Sequence, residues 1–155
     1  MKLFCMLFLT TIGGLCFSQS KSSLIGKWKT ISMQDHEIYF NLKTDSFSIS
    51  NEIKSMYPDP DKQKQFLAGH KAIFGSMQYH FGANDTLTHM FNDTLQIGQC
   101  RYTVAATLDT ITCIETGDDG VVKTDKILYK ISDGLLYLKY DWEERLMELV
   151  LERLK

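Results

Sequence analysis

From Gln78 to the end of the chain, turn-forming residues recur at strand spacing, and this pattern restricts the fold more than any other. The turn signals fall at 82–85, 92–93, 108–109, 117–120, 132–134 and 141–144. Between them lie runs rich in Thr, Tyr, Val and Ile, such as 110–115, 126–131 and 135–140. Asn-Asp-Thr-Leu occurs twice, at 84–87 and 92–95, two equivalent steps from turn into strand. Strands that follow one another through short turns favour an up-and-down antiparallel sheet. Such a sheet removes its edges by closing into a barrel.

The first half of the chain is less regular. Residues 24–33 read as the first strand, and 37–42 and 47–53 as two more, separated by turn residues 43–46. The next stretch changes character. Asp59 suits a helix N-cap, Pro60 its first position, and Asp61 the positive end of the dipole. Phe66, His70, Ile73 and Met77 recur at helical spacing, with Leu67 and Phe74 beside them. One amphipathic helix is expected over 59–76, weakened by Gly69 and Gly75.

Residues 145–155 carry conflicting signals. They are good helix formers, and Asp141 with Glu144 fits a capping box. Yet Arg145, Met147, Leu149, Leu151 and Arg153 also alternate with their neighbours as a strand would. A barrel needs a closing strand and this is the last segment able to supply it, so a strand is expected.

Residues 1–18 stand apart. Lys2 precedes an uncharged apolar run from Leu3 to Phe17, and Ser18, Gln19 and Ser20 break it, as in a secretory signal peptide. The run is shorter than the ~20 residues of a spanning helix. Cleavage is expected after Ser18, with Ser20 as the second choice. Cys16 suggests acylation, but the bulky Leu15 before it favours a soluble protein without a stable membrane anchor, periplasmic or extracellular. Residues 19–155 then form one domain, with 16 basic against 19 acidic residues. A weakly acidic domain without a basic stripe is a poor match for nucleic acid.

Two cysteines, Cys100 and Cys113, lie in the expected domain. A tight turn centred on Ala106 and Thr107 would set them opposite one another, within reach of a disulfide worth about 3 kcal/mol. The alternative is two reduced, buried cysteines.

Gly26-Lys27-Trp28 resembles the Gly-x-Trp signature that opens the first strand of lipocalins, and the chain resembles a lipocalin-like (calycin) domain of secreted bacterial proteins over most of residues 24–155. The resemblance implies a β-barrel closed at one end by Trp28, with an Arg from near the C-terminus over its indole. Arg153 and Arg145 are the candidates, and 150–155 resembles the closing strand, which favours Arg153. Such stacking contributes about 0.5–2 kcal/mol. Thr124-Asp125-Lys126-Ile127-Leu128-Tyr129 is similar to the second signature of that family, with Lys126 as a departure. The helix departs from the family layout and reads as an insertion over one barrel mouth, with Phe66, Ile73 and Phe74 as its candidate lid.

Little catalytic chemistry is written in the chain. His36, His70, His80 and His89 lack metal-ligand spacing, and no cofactor motif, nucleophile elbow or phosphate loop occurs. Asp118-Asp119-Gly120 and Asp59-Pro60-Asp61 lack the spacing of calcium ligands. The Asp-Thr-aliphatic pattern at Asp85-Thr86-Leu87, Asp93-Thr94-Leu95 and Asp109-Thr110-Ile111 resembles an acceptor motif for bacterial O-glycosylation, making Thr86, Thr94 and Thr110 candidate sites. The same pattern also suits a turn leading into a strand, and Asn84 and Asn92 begin N-glycosylation sequons. The leading expectation is a binding module for a small apolar or amphipathic ligand, without cofactor or metal. The alternatives are a solid-core envelope protein acting through its surface, and, least favoured, an enzyme.

Overall fold

A computed structural model describes residues 21–105, 109–117, 119–142 and 144–155. The expected leader falls on residues outside this set. The first elements are helix α1 (Lys21–Leu24), strands β1 (Gly26–Gln34), β2 (Ile38–Asn41) and β3 (Ser46–Ile49), and helices α2 (Asn51–Met56) and α3 (Pro60–Gly75). Seven strands follow: β4 (Met77–Phe81), β5 (Thr86–Phe91), β6 (Leu95–Ala105), β7 (Thr110–Thr116), β8 (Val122–Ser132), β9 (Leu135–Trp142) and β10 (Arg145–Arg153).

Strands β4 to β10 each pair antiparallel with the next, β10 pairs with β1, and β1 pairs with β4. These eight strands close a barrel, as the recurrent turns require. The C-terminal conflict resolves as strand: Met147, Leu149 and Leu151 are buried in β10 on the inward face. Closing the barrel hides strand edges and apolar side chains together, which helix propensity alone does not outweigh.

Strand β1 changes partner along one edge. Gly26–Lys29 meets β4, whereas Ser32, Met33 and Gln34 meet β2. On its other edge the register to β10 shifts between Thr30 and Ser32, a β-bulge at Ile31. The β2–β3 hairpin therefore branches from the barrel and extends its wall. Met33 lies opposite Phe40, so Phe40 and Ile38 share the inward face, where both are buried.

Helix α3 covers that face. Asp59 caps it, accepting a hydrogen bond from Asp61 N at 2.9 Å, with Pro60 at the first position. Leu67 is buried, and Phe66 and Phe74 pack on the core, Phe74 with its ring 6.5 Å from that of Phe40. Residues 50–53, expected to continue a strand, instead begin α2. Ser50 Oγ accepts from Ile53 N at 3.2 Å, and Ile53 is buried. An N-cap bond and one buried anchor overcome a short run of strand-like residues.

The turns share a device. Asp45, Asp85, Asp93, Asp109 and Asp133 all have positive φ between 44° and 66°. Aspartate tolerates this left-handed region better than most residues. In three of these places the following Thr begins or precedes a strand, which explains the repeated Asp-Thr-aliphatic pattern.

Candidate functional site

The two ends of the barrel differ. At the end where β1 begins, Trp28, Phe81, Leu87, Tyr102, Ile111, Leu136 and Leu151 are almost fully buried and fill the interior. Trp28 lies opposite Arg153 in the β1–β10 register, and the guanidinium sits 4.6 Å from the indole ring centre. Arg153 also donates to Ser23 O, and Trp28 Nε1 donates to Leu24 O at 2.7 Å. Gly26 has φ +138°, and a Cβ there would meet Arg153 Nη1 at 3.3 Å. Gly26, Trp28 and Arg153 thus form one closing unit, while Arg145 pairs with Glu37 at the other end, at 3.1 Å.

Towards that other end the inward positions turn polar. Tyr79 and Tyr140 approach through their hydroxyls at 3.3 Å, and the Tyr140 hydroxyl donates to Met147 Sδ at 3.7 Å. His89 lies opposite Tyr79, with ring centres 4.7 Å apart. Its Nε2 is buried without a hydrogen-bond partner. The inward alternation continues through Cys113 to Glu115 and Asp125, which are exposed, and Glu115 faces Lys123. Trp142, 40% exposed, follows Tyr140 on the same face, rings 6.4 Å apart. The inward face therefore passes from a floor of phenols, imidazole and thiols to exposed side chains at the rim.

Burial controls the charge of this floor. It pushes Tyr79 well above the ordinary phenol value and Tyr140 up to about 12. Burial also holds His89 below the ordinary imidazole value. All three are neutral near pH 7, because desolvation disfavours the charged form of each. Among the described residues, the inward-facing carboxylates Glu115 and Asp125 are both exposed at the rim. The floor offers hydrogen bonds without net charge, suited to a neutral polar group attached to an apolar body.

The candidate lid is only partly placed on this side. Phe66 and Phe74 pack inward with His70 between them, rings 4.3 and 6.3 Å from it. Ile73 does not join them; it is 49% exposed. The stripe that packs on the hairpin runs through 66, 67, 70 and 74, and Ile73 falls off its edge.

The cysteines are also set differently from the expected opposed pair. The last pair before the β6–β7 turn is Ala105 with Thr110, so Cys113 lies opposite Tyr102 rather than Cys100. The expected turn centre, Ala106 and Thr107, lies outside the described residues, but the register displaces each partner by two. Cys100 and Cys113 remain on one face as diagonal neighbours, both free thiols.

Of the candidate glycosylation positions, Thr94 is exposed in the β5–β6 turn, while Thr86 and Thr110 are half-buried at strand starts. Thr86 lines a concavity of about 440 Å³ on the outer wall with Lys27, His80, Asn84 and Gln99. A second, of about 240 Å³, lies outside β8–β10 around Leu128, Tyr137 and Val150. Among the described residues no group of three or more His, Cys, Asp or Glu could hold a metal ion.

Sequence reasoning counts Tyr79 among the aromatics able to line a pocket, reads His89 as an ordinary surface or core histidine, and does not single out Tyr140. Alternation could have placed each on the inward face, but their meeting depends on the pairing of β4 with β5 and on closure of the barrel. No protein-family model matches this chain, and no curated protein matches it. Among solved structures the chain is similar to a DUF4847 family protein from Bacteroides vulgatus ATCC 8482, with 10% sequence identity and a TM-score of 0.46, over 85% of this chain and 96% of that one.

Proposed function

We propose that this protein is an exported, lipocalin-like binding protein that takes a small amphipathic molecule into the open end of its barrel. The observation that carries this reading is His89 Nε2, a buried polar atom facing the lumen without a partner. Leaving such an atom unmade costs about 1–3 kcal/mol, which a ligand hydrogen bond would recover. Tyr79 and Tyr140 supply further neutral hydroxyls, and Trp142 and Met147 the apolar contact.

Native mass spectrometry of the protein purified from its host without detergent tests the reading. A discrete adduct that leaves on unfolding, and is lost in His89→Phe, is the expected result. A bare mass at every ligand-preserving condition, or an adduct indifferent to His89, would overturn it. The same sample reports export: a mature N-terminus at Gln19 is expected.

A second reading rests on a separate observation. Leu95, Ile97, Val121, Val122, Trp142 and Leu146 are 40–61% exposed around the open end. An apolar rim of this kind also suits a protein partner in the envelope. Substitution of Val122 and Leu146 by Lys would then abolish partner capture and leave small-molecule binding intact.

A further inference from the structure

The lumen holds a second pair of groups that the ligand reading does not use. Cys100 in β6 and Cys113 in β7 sit on the same inward face of adjacent strands, two residues apart in register. Cys113 is 6% exposed, whereas Cys100 is half-buried and nearer the open end. We propose that Cys100 and Cys113 form a thiol–disulfide exchange site for low-molecular-weight disulfides, with Cys100 as the entering thiol and Cys113 as the resolving one.

Three features support the assignment of roles. Only Cys100 has the exposure that an incoming disulfide needs. The neighbouring Cys113 thiol holds the Cys100 thiol below its ordinary value, against opposing effects of burial, Glu115 and Asp125. The same proximity, with burial, pushes Cys113 up, and Tyr140 also faces it from β9. Thiolate character and access together decide which cysteine reacts first. The diagonal offset adds reversibility. Diagonal neighbours have Cα atoms about 7–8 Å apart, beyond the usual range for a disulfide, so bridging them needs the backbone to move. Joining them therefore draws β6 and β7 out of register, and reduction lets them return.

The exchange balances in two steps. Cys100 gives up its proton, and its sulfur attacks one sulfur of R–S–S–R; a Cys100–S–S–R bond forms, and the released R–S⁻ takes that proton. Cys113 then loses its proton and attacks Cys100 Sγ; the intramolecular disulfide forms, and the second R–S⁻ leaves as R–SH. The two cysteines are oxidised by two electrons, and one disulfide is reduced to two thiols. The proposal is independent of whether the lumen takes a small amphipathic molecule.

Oxidised glutathione is the probe. The full chain is incubated with it, quenched in acid, alkylated and digested with trypsin. Cleavage after Arg101 puts Cys100 and Cys113 on separate peptides, apart from Cys5 and Cys16. In the wild type the two peptides are expected to become linked, after a transient glutathione adduct on Cys100. Cys113→Ala should stop at that adduct. In Cys100→Ala, Cys113 should react about tenfold or more slowly under native conditions. The proposal fails if Cys113 reacts as fast as Cys100, or if each cysteine carries glutathione without joining. It fails equally if Cys100 stays unmodified. Should either variant misfold, the order of adducts in the wild-type time course decides the same question.

Discussion

Arg153 shows how much one surface side chain can hold in place. Its guanidinium covers the Trp28 indole and donates to Ser23 O, tying the last strand to the segment that precedes the first. Arg153→Ala should lower stability by about 1 kcal/mol, the scale of an exposed cation–π contact with one hydrogen bond, measured by urea denaturation. Arg153→Lys should recover only part, because an ammonium cannot stack as a planar guanidinium does. Gly26→Ala should cost about 1–3 kcal/mol, since φ +138° is a region that residues with a Cβ rarely adopt. His89 makes the opposite kind of contribution. Burial lowers its pKa in the folded protein, so the unfolded chain takes up the proton first as pH falls. Stability associated with His89 is therefore full above about pH 6.5 and declines below it. His80 is shifted the same way, mainly by burial. His89→Phe should flatten the fall in melting temperature between pH 7 and pH 5, with His80 leaving a residual slope.

Helix α3 is an element whose existence was legible and whose facing was not. Asp59, Pro60 and the apolar spacing are local signals, and they set its bounds to within a residue of 59–76. Which stripe packs inward depends on the hairpin beneath it, and that contact is non-local. Phe74→Ala should consequently cost about 1–3 kcal/mol, reduced from a full core deletion by its partial exposure, whereas Ile73→Ala should stay within about 0.5 kcal/mol. Thermal denaturation of the two variants side by side checks the orientation. The same division runs through the strands. Turns at 82–85, 92–93, 117–120 and 132–134 were readable because Asp, Asn and Gly carry the backbone conformation themselves. Register was not. One residue of uncertainty in the β6–β7 turn displaced Cys113 from Cys100 to Tyr102. The Tyr79–Tyr140 contact could not be read at all, since 61 residues separate the two and only closure brings them together.

At the scale of the whole molecule, the barrel depends on a seam between its first and last strands. β1 and β10 share six paired positions, from Trp28 with Arg153 to Gln34 with Glu148. Leu149 and Leu151, both buried, sit at the middle of that seam. Leu151→Asp places an unpaired carboxylate in the core and should prevent stable folding, whereas Glu152→Gln on the outer face should be tolerated; amide hydrogen exchange distinguishes the two. The seam also has a temporal meaning. A chain made from its N-terminus presents β1 early, and β10 only after the other seven barrel strands. Until then β1 has an open edge, and Trp28 lacks its cover. The barrel therefore closes only once β10 is available, and its first strand must be kept from other partners until it is.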